Sequence, residues 1–270
     1  MAHHPYRGRR DSVPVTMNLR MRQICLVARQ LAPVVDAFRE VFGLEVCYRD
    51  PGVGKYGLEN ALFPIGDGFL EVVAPVRDGT TAGRFLDRRG GDGGYMVITQ
   101  CADLAPRRAR CEAVGVRIAN EIQHGGYQEL QLHPRDVGAA MLSFGRQEGG
   151  EASNGPWNPA ASRATTPRGQ GIVRAMRAAE LQGDDATKLA QRWSEVTTMP
   201  LGRDERGRPT IALDDATLRF VNAADGRGEG LGGLDLTCSD REGVLGRARA
   251  RRLPVDGNVV VVCGMRFALV

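Results

Sequence analysis

The sequence predicts an α+β chain of four β-α-β-β-β modules in two pairs, each pair a curled half-barrel sheet with its helices outside. Three observations predict it. First, two amphipathic helices share one apolar spacing. Leu31, Val34, Val35, Phe38 and Val41 fall at offsets 0, 3, 4, 7 and 10, and Ala186, Leu189, Ala190, Trp193 and Val196 repeat them. Second, strand-like runs follow these helices in the same order, so that residues 217–221 answer residues 69–73. Third, Gly232-Gly233-Leu234 echoes Gly93-Gly94-Tyr95, and each opens a further unit. One module cannot cover both faces of its sheet, so modules are expected to pair, and the concave face of a pair becomes the natural pocket.

Taken in order, residues 21–28 are mostly apolar with no helical period and read as a strand. The helix from Leu31 tolerates Pro33 in its first turn and stops at Gly43. Strands are expected at 45–48, 59–64 and 68–74, the last two joined by a tight turn at Gly66-Asp67-Gly68. The second unit reads as a strand at 95–99, a helix opened near Asp103 and closed by Gly115, and strands at 116–118, 129–133 and 139–144. A stretch rich in Gly, Ser, Thr, Asn and Pro follows and reads as a linker. The expected organisation is a disordered leader (1–20), an N-terminal paired-module domain (21–146), a linker (147–171) and a degenerate C-terminal paired-module domain (172–270), in a monomer or homodimer.

Composition narrows the function classes. The 270 residues are 42% hydrophobic and 25% charged, an ordinary soluble balance. The longest apolar runs, such as residues 259–263, fall far short of the roughly 18 residues that a membrane span needs. Residues 1–16 are basic and polar, include His3 and His4, and precede no apolar block of the secretory kind. The six cysteines form no CxxC pair, which argues against a zinc knuckle or a disulfide framework and for reduced cysteines in a cytoplasmic protein. The net charge is +4, but the arginines are spread along the chain and no arginine-aromatic stripe accompanies them, so nucleic acid is not an expected partner.

Residues 68–75 (Gly68-Phe69-Leu70-Glu71-Val72-Val73-Ala74-Pro75), residues 81–90 and the turn His133-Pro134-Arg135-Asp136-Val137-Gly138 resemble the vicinal oxygen chelate superfamily, the glyoxalase, bleomycin-resistance and dioxygenase group. Within it the N-terminal half is most similar to the methylmalonyl-CoA epimerases. The resemblance covers residues 21–146 and, more faintly, 172–270. It implies a divalent cation in the cup, held by residues of the first and last strands of each module. The matching positions here are Gln23, Glu71, Met96 and Ser143. A thioether and an un-ionised hydroxyl are poor ligands for hard divalent ions, so no metal and no other cofactor is expected. The resemblance also implies two catalytic carboxylates, and their positions fall at Ser143 and near Lys55. In the C-terminal pair the ligand positions fall at Ala178, Arg219 and Gly233 or Leu234, a set suited to packing, and no histidine lies on them. Extradiol dioxygenase chemistry is therefore excluded.

Strand alternation points Glu71 into the cup, because Leu70 and Val72 must cover the helix side. It is either a general base or a former ligand paired with Gln23 or an arginine. Met96 reads as apolar lining, Lys55 and His124 as residues near the mouth, and His133 as a turn cap or a pocket residue. The Gly-rich loop around Lys55 and Tyr56 lacks the strand-loop-helix context of a phosphate cradle. The expected function is binding of a small organic molecule in the N-terminal cup, contacted by Gln23, Lys55, Met96, His124 and Ser143. The alternatives are an isomerase or lyase with Glu71 as catalytic base, with or without a weak divalent metal, and a structural role.

Overall fold

A computed structural model describes residues 18–160 and 171–270. Residues 1–17 of the expected leader, with His3 and His4, and residues 161–170 of the expected linker lie outside the described residues. Leu19 is fully buried and Arg20 opens the first strand, so residues 19 and 20 belong to the fold rather than to a leader.

The first run is β1 (Arg20–Val27), α1 (Leu31–Phe42), a 3-10 turn (Pro51–Tyr56), β2 (Leu58–Ile65) and β3 (Gly68–Pro75). All five apolar positions of the α1 stripe are buried, and Gly43 ends the helix in the left-handed conformation that a side chain disfavours. The strand expected at 45–48 is reduced to one bridge, Tyr48 to Leu62. The chain leaves the ladder at once, because Asp50 turns it into the 3-10 segment by accepting a hydrogen bond from the Gly52 N–H. A helix that periodicity did not place, α2 (Thr81–Arg89), follows, capped by the Thr80 hydroxyl.

The second run is β4 (Gly93–Gln100), α3 (Ala105–Ala113), β5 (Ile118–His124), β6 (Tyr127–Leu132), the single turn α4 (Pro134–Val137) and β7 (Met141–Gln147). The strand expected at 116–118 starts only at Ile118, since the Val116 N–H is spent on the Cys111 carbonyl at the end of α3. The C-terminal half runs β8 (Val173–Gly183), α5 (Ala186–Thr197), β9 (Leu201–Arg203), β10 (Pro209–Ala212) and β11 (Thr217–Asn222). It then continues through β12 (Gly230–Cys238), α6 (Arg241–Ala250), β13 (Val255–Asp256), β14 (Val259–Val262) and β15 (Met265–Leu269).

The result is one large, curled, unclosed sheet with a mixed α+β character. In the N-terminal half β1 pairs with β3 in parallel and with β4 antiparallel, and β4 continues through β7 and β6 to β5. That half contributes seven strands and one bridge rather than the eight strands expected. The C-terminal half repeats the plan around β8 and β12. The halves meet at a single ladder position, Leu231 opposite Gly94, so they are not the separate sheets the sequence predicts. A Cβ on Gly94 would lie 2.6 Å from the Leu231 carbonyl oxygen, which is why glycine stands there.

Two apolar clusters lie on opposite faces of the N-terminal sheet. The larger spans both halves: Phe38 and Phe42 of α1 meet Phe267 of β15 at 5.4 and 5.5 Å. The smaller lines the concave face. β1 is buried on both faces, with Ile24 and Leu26 in the first cluster and Cys25 and Val27 in the second. Among the described residues no helix is long and apolar enough to cross a membrane.

Candidate functional site

The concave face of the N-terminal sheet encloses a cavity of about 1250 Å³. Its floor is built by register. Cys25 of β1 stands beside Glu71 of β3 and Met96 of β4, and Leu62 of β2 flanks Glu71 on the other side. A register shift between Met21 and Gln23 makes Arg22 an extra residue on β1 and re-aims its neighbours, as a bulge does.

Glu71 is buried, and both of its oxygens are occupied. Oε2 accepts from Gln23 Nε2 at 2.7 Å and Oε1 accepts from Asn60 Nδ2 at 2.6 Å. Burial raises its pKa, while the Asn60, Cys25 and Gln23 donors oppose that rise by stabilising the anion. Burial, and next the charge of Glu71, push the neighbouring Cys25 thiol well above its ordinary value. Asn60 also ties the floor to the rim, because its Oδ1 accepts from the Asp50 N–H at 2.7 Å where the 3-10 turn begins.

A second buried carboxylate lies across the cup. Tyr127, Glu129 and Gln131 of β6 line the cavity, while Leu130 and Leu132, of the opposite parity, are buried. Glu129 is 4% exposed, and its Oε1 has no hydrogen-bond partner. Burial raises its pKa, hydrogen bonding from Ser143, Tyr127 and Gln131 pulls it down, and the charge of Glu71 adds to the rise.

The rim is formed by the 3-10 turn on one side and by β5 on the other. Asn120 Nδ2 donates to the Tyr56 hydroxyl at 3.0 Å and links them. The Lys55 ammonium sits 4.8 Å from the centre of the Tyr56 ring. The start of α2 closes a third side with Thr80, Thr81 and Ala82. The stretch read as a linker closes the fourth. Trp157 is 1% exposed, and its ring meets Tyr127 edge-on at 5.1 Å and the Arg22 guanidinium at 5.1 Å. Arg22 in turn donates to the Ser153 and Gly155 carbonyls. Composition alone hid this strap, because its one large anchor is diluted among small polar residues.

Of the residues selected from sequence, Gln23, Glu71, Met96, Lys55 and His124 all line this cavity. His124 is the last residue of strand β5. Ser143 does not reach the cavity wall. It is fully buried, its carbonyl accepts from the Thr99 hydroxyl at 2.7 Å, and its own hydroxyl faces the Glu129 carboxyl. His133 lies outside the cavity and caps α4 by accepting from the Arg135 N–H at 3.3 Å. Sequence reasoning missed Asn60, Tyr127, Glu129 and Trp157. Alternation against Ala61 and Phe63 placed Asn60 inward, and alternation against Leu130 and Leu132 did the same for Glu129.

The donors at the four metal positions do not fit a divalent cation. Gln23 and Glu71 are bonded to each other, Met96 offers a thioether and Ser143 is sealed below the floor. Among the described residues no group of three or more His, Cys, Asp and Glu side chains could hold a metal ion. The C-terminal counterpart differs again. Arg219 is not a packing residue: it donates to both oxygens of Asp235 at 2.7 and 2.8 Å and to Glu180 at 3.0 Å. Arg266 reaches Glu180 from the other side at 3.0 Å. Register puts Glu180 opposite both Arg219 and Gly233, so this concave face is occupied by its own ion pairs.

A curled sheet of strand-helix-strand units around one cup is the architecture of glyoxalase-like proteins. A model of the glyoxalase-like domain matches residues 24–197, well over half of the chain, and the chain belongs to that family, within the vicinal oxygen chelate superfamily. No curated protein matches it. Among solved structures, a hypothetical protein from Staphylococcus aureus superposes with a TM-score of 0.64 at 12% identity, over 93% of this chain and 99% of that one. That likeness extends the shared fold over nearly the whole molecule. A variant of Streptomyces coelicolor methylmalonyl-CoA epimerase in complex with 2-nitronate-propionyl-CoA is 23% identical, with a TM-score of 0.43, over 48% of this chain and 98% of that one. Methylmalonyl-CoA epimerase from Mycobacterium tuberculosis is 18% identical, with a TM-score of 0.42, over 51% of this chain and 92% of that one.

Proposed function

We propose that this protein binds a small organic molecule in its N-terminal cup without a divalent metal. The observation that carries the reading is the contrast between the two concave faces. The N-terminal one holds a cavity of about 1250 Å³ in which apolar and aromatic side chains such as Met96, Ile98, Ile122 and Tyr127 alternate with as many polar and charged ones, Gln23, Glu71 and Glu129 among them, so that both an apolar body and polar groups of a small molecule find partners. The C-terminal one is filled by the Glu180, Arg219, Asp235 and Arg266 ion pairs. Gln23, Glu71 and Met96 form the floor, with Lys55 and His124 near the rim.

A second reading, an isomerase or lyase with Glu71 as base, draws on the burial that raises the pKa of this carboxylate. Against it stands the occupation of both Glu71 oxygens by amide donors, which suits an anchor more than a proton acceptor. A fragment screen by ligand-observed NMR tests the binding reading. Fragments that bind the full chain are expected to weaken on Glu71→Gln, through lost charge, and on Met96→Trp, through a filled floor. A binder indifferent to both but abolished by Arg219→Ala places the site in the other half and refutes the reading. Elemental analysis after mild dialysis is expected to find no stoichiometric transition metal. Near one equivalent, lost on Glu71→Ala, refutes the metal-free part.

A further inference from the structure

We propose that Gln23 Oε1 is the acceptor that the floor of the N-terminal cup presents to its ligand, so that the cup selects an uncharged, largely apolar molecule carrying a hydrogen-bond donor. This deepens the binding reading and rests on it.

Three contacts fix which way the Gln23 amide faces. The Asp50 backbone N–H can only donate, and it meets Asn60 Oδ1 at 2.7 Å, so Asn60 turns its Nδ2 to Glu71 Oε1 at 2.6 Å. Gln23 Nε2 donates to the other Glu71 oxygen at 2.7 Å. The Cys25 thiol hydrogen-bonds to the same carboxyl group. With donors converging on it Glu71 is held as an acceptor, and a Gln23 amide turned over would set oxygen against oxygen. Gln23 Oε1 therefore points away from Glu71.

No protein donor meets that oxygen. Gln23 stands in register between Phe69 of β3 and Ile98 of β4, both in the apolar cluster of the concave face, and neither side chain can donate. Among the described residues the one hydrogen bond of the Gln23 side chain is that to Glu71. The residue is 5% exposed and lines the cavity, so the free acceptor faces the cup, where a ligand donor completes it. Met96, Ile98 and Met141 beside it suit an apolar body. Tyr95 joins this floor through a bulge: a register shift between Cys25 and Leu26 makes it an extra residue on β4, and Phe85 holds its ring edge-on at 5.0 Å. A phenol hydroxyl donates or accepts, so Tyr95 does not discriminate between ligands, whereas an oriented amide oxygen does.

Indole and benzofuran match in size and shape and differ in an N–H against a ring oxygen. Their binding to the full chain is measured by ligand-observed NMR at pH 8. Wild-type protein is expected to hold indole about 5- to 10-fold tighter, the worth of about one net hydrogen bond. Gln23→Met keeps the length, removes the acceptor and should bring the two probes level. Glu71→Gln serves as the second variant should Gln23→Met fail to fold. There Asn60 still donates to Oε1, the new amide N–H faces Gln23, and Gln23 turns over to accept from it. The preference for indole should then vanish or reverse although Gln23 is intact, a change that a merely structural Gln23 would not produce. Tyr95→Phe should keep the preference. A preference that survives Glu71→Gln, or is lost on Tyr95→Phe, overturns the assignment to Gln23. Equal or reversed binding to wild-type protein overturns the donor selection, and leaves the cup reading standing where Met96→Trp weakens both probes. Failure of both probes to bind counts against the cup itself and takes this inference with it.

Discussion

Trp157 is the sharpest test of the claim that residues 147–160 form a wall of the cup rather than a tether. Trp157→Ala removes a side chain that is 1% exposed, at a cost of about 3–5 kcal/mol for truncating a fully buried Trp. The edge contact with Tyr127 and the stacking of Arg22 fall within that range rather than adding to it, because all three groups share one packing site. Trp157→Phe separates packing from polarity. The indole Nε1 is buried without a partner, and such a donor costs about 1–3 kcal/mol, so losing it offsets part of the lost volume. The phenylalanine variant is therefore expected to lose only about 1 kcal/mol. Urea unfolding at pH 7 reads both losses as a lower midpoint at unchanged slope. Cleavage after the exposed Glu151 by a glutamyl endopeptidase should accelerate in the alanine variant, as the strap lifts from Arg22. A Trp157→Ala loss below about 1 kcal/mol, with unchanged cleavage, would show that residues 147–160 are a tether and not a wall.

Four further outcomes follow from the same structure. Gln23→Leu leaves Glu71 Oε2 without its donor and should cost about 1.5–3 kcal/mol in urea unfolding at neutral pH, with a smaller loss at pH 4, where the carboxyl is protonated. Glu129 has a folded pKa raised above its unfolded value, so the folded state holds the proton longer and stability falls as pH climbs above about 4.3, levelling off past the folded value. Glu129→Gln removes that loss, and its stability relative to wild type should climb over the same range. Arg219→Leu strands the largely buried Asp235 and leaves Glu180 to Arg266 alone, and should cost about 3 kcal/mol at pH 7, detected as a lower urea midpoint. Gly94→Ala drives a Cβ into Leu231 where the halves meet and should cost about 1–3 kcal/mol, whereas Gly90→Ala, with nothing near its Cβ, should lose only the preference for a left-handed backbone.

The strand-helix-strand plan is legible in the amino-acid order, because it is written in local periodicities that each segment carries alone. The α1 and α5 stripes, the Gly43 stop and the inward direction of Glu71 all follow from spacing, and each matches the structure. Short or interrupted elements were lost for the same reason. Residues 45–48 alternate like a strand, yet only one bridge forms, since the ladder ends where Asp50 turns the chain. Helix α2 has only Ala82 and Leu86 as buried apolar positions, too few to mark a period. Tertiary structure alone decided what each inward side chain meets. That Gln23 and Asn60 both turn to Glu71 depends on β1, whose Gln23 lies 48 residues before Glu71, standing in one register with the β2–β3 hairpin. That Glu129 is buried among Tyr127, Gln131 and Ser143 depends on β6 and β7 standing in one register and on Trp157 folding back over Gly145. The joining of the halves at Leu231 and Gly94 is of the same kind. Partners so far apart in sequence leave no periodic trace, because what selects them is the surface each can bury against the other.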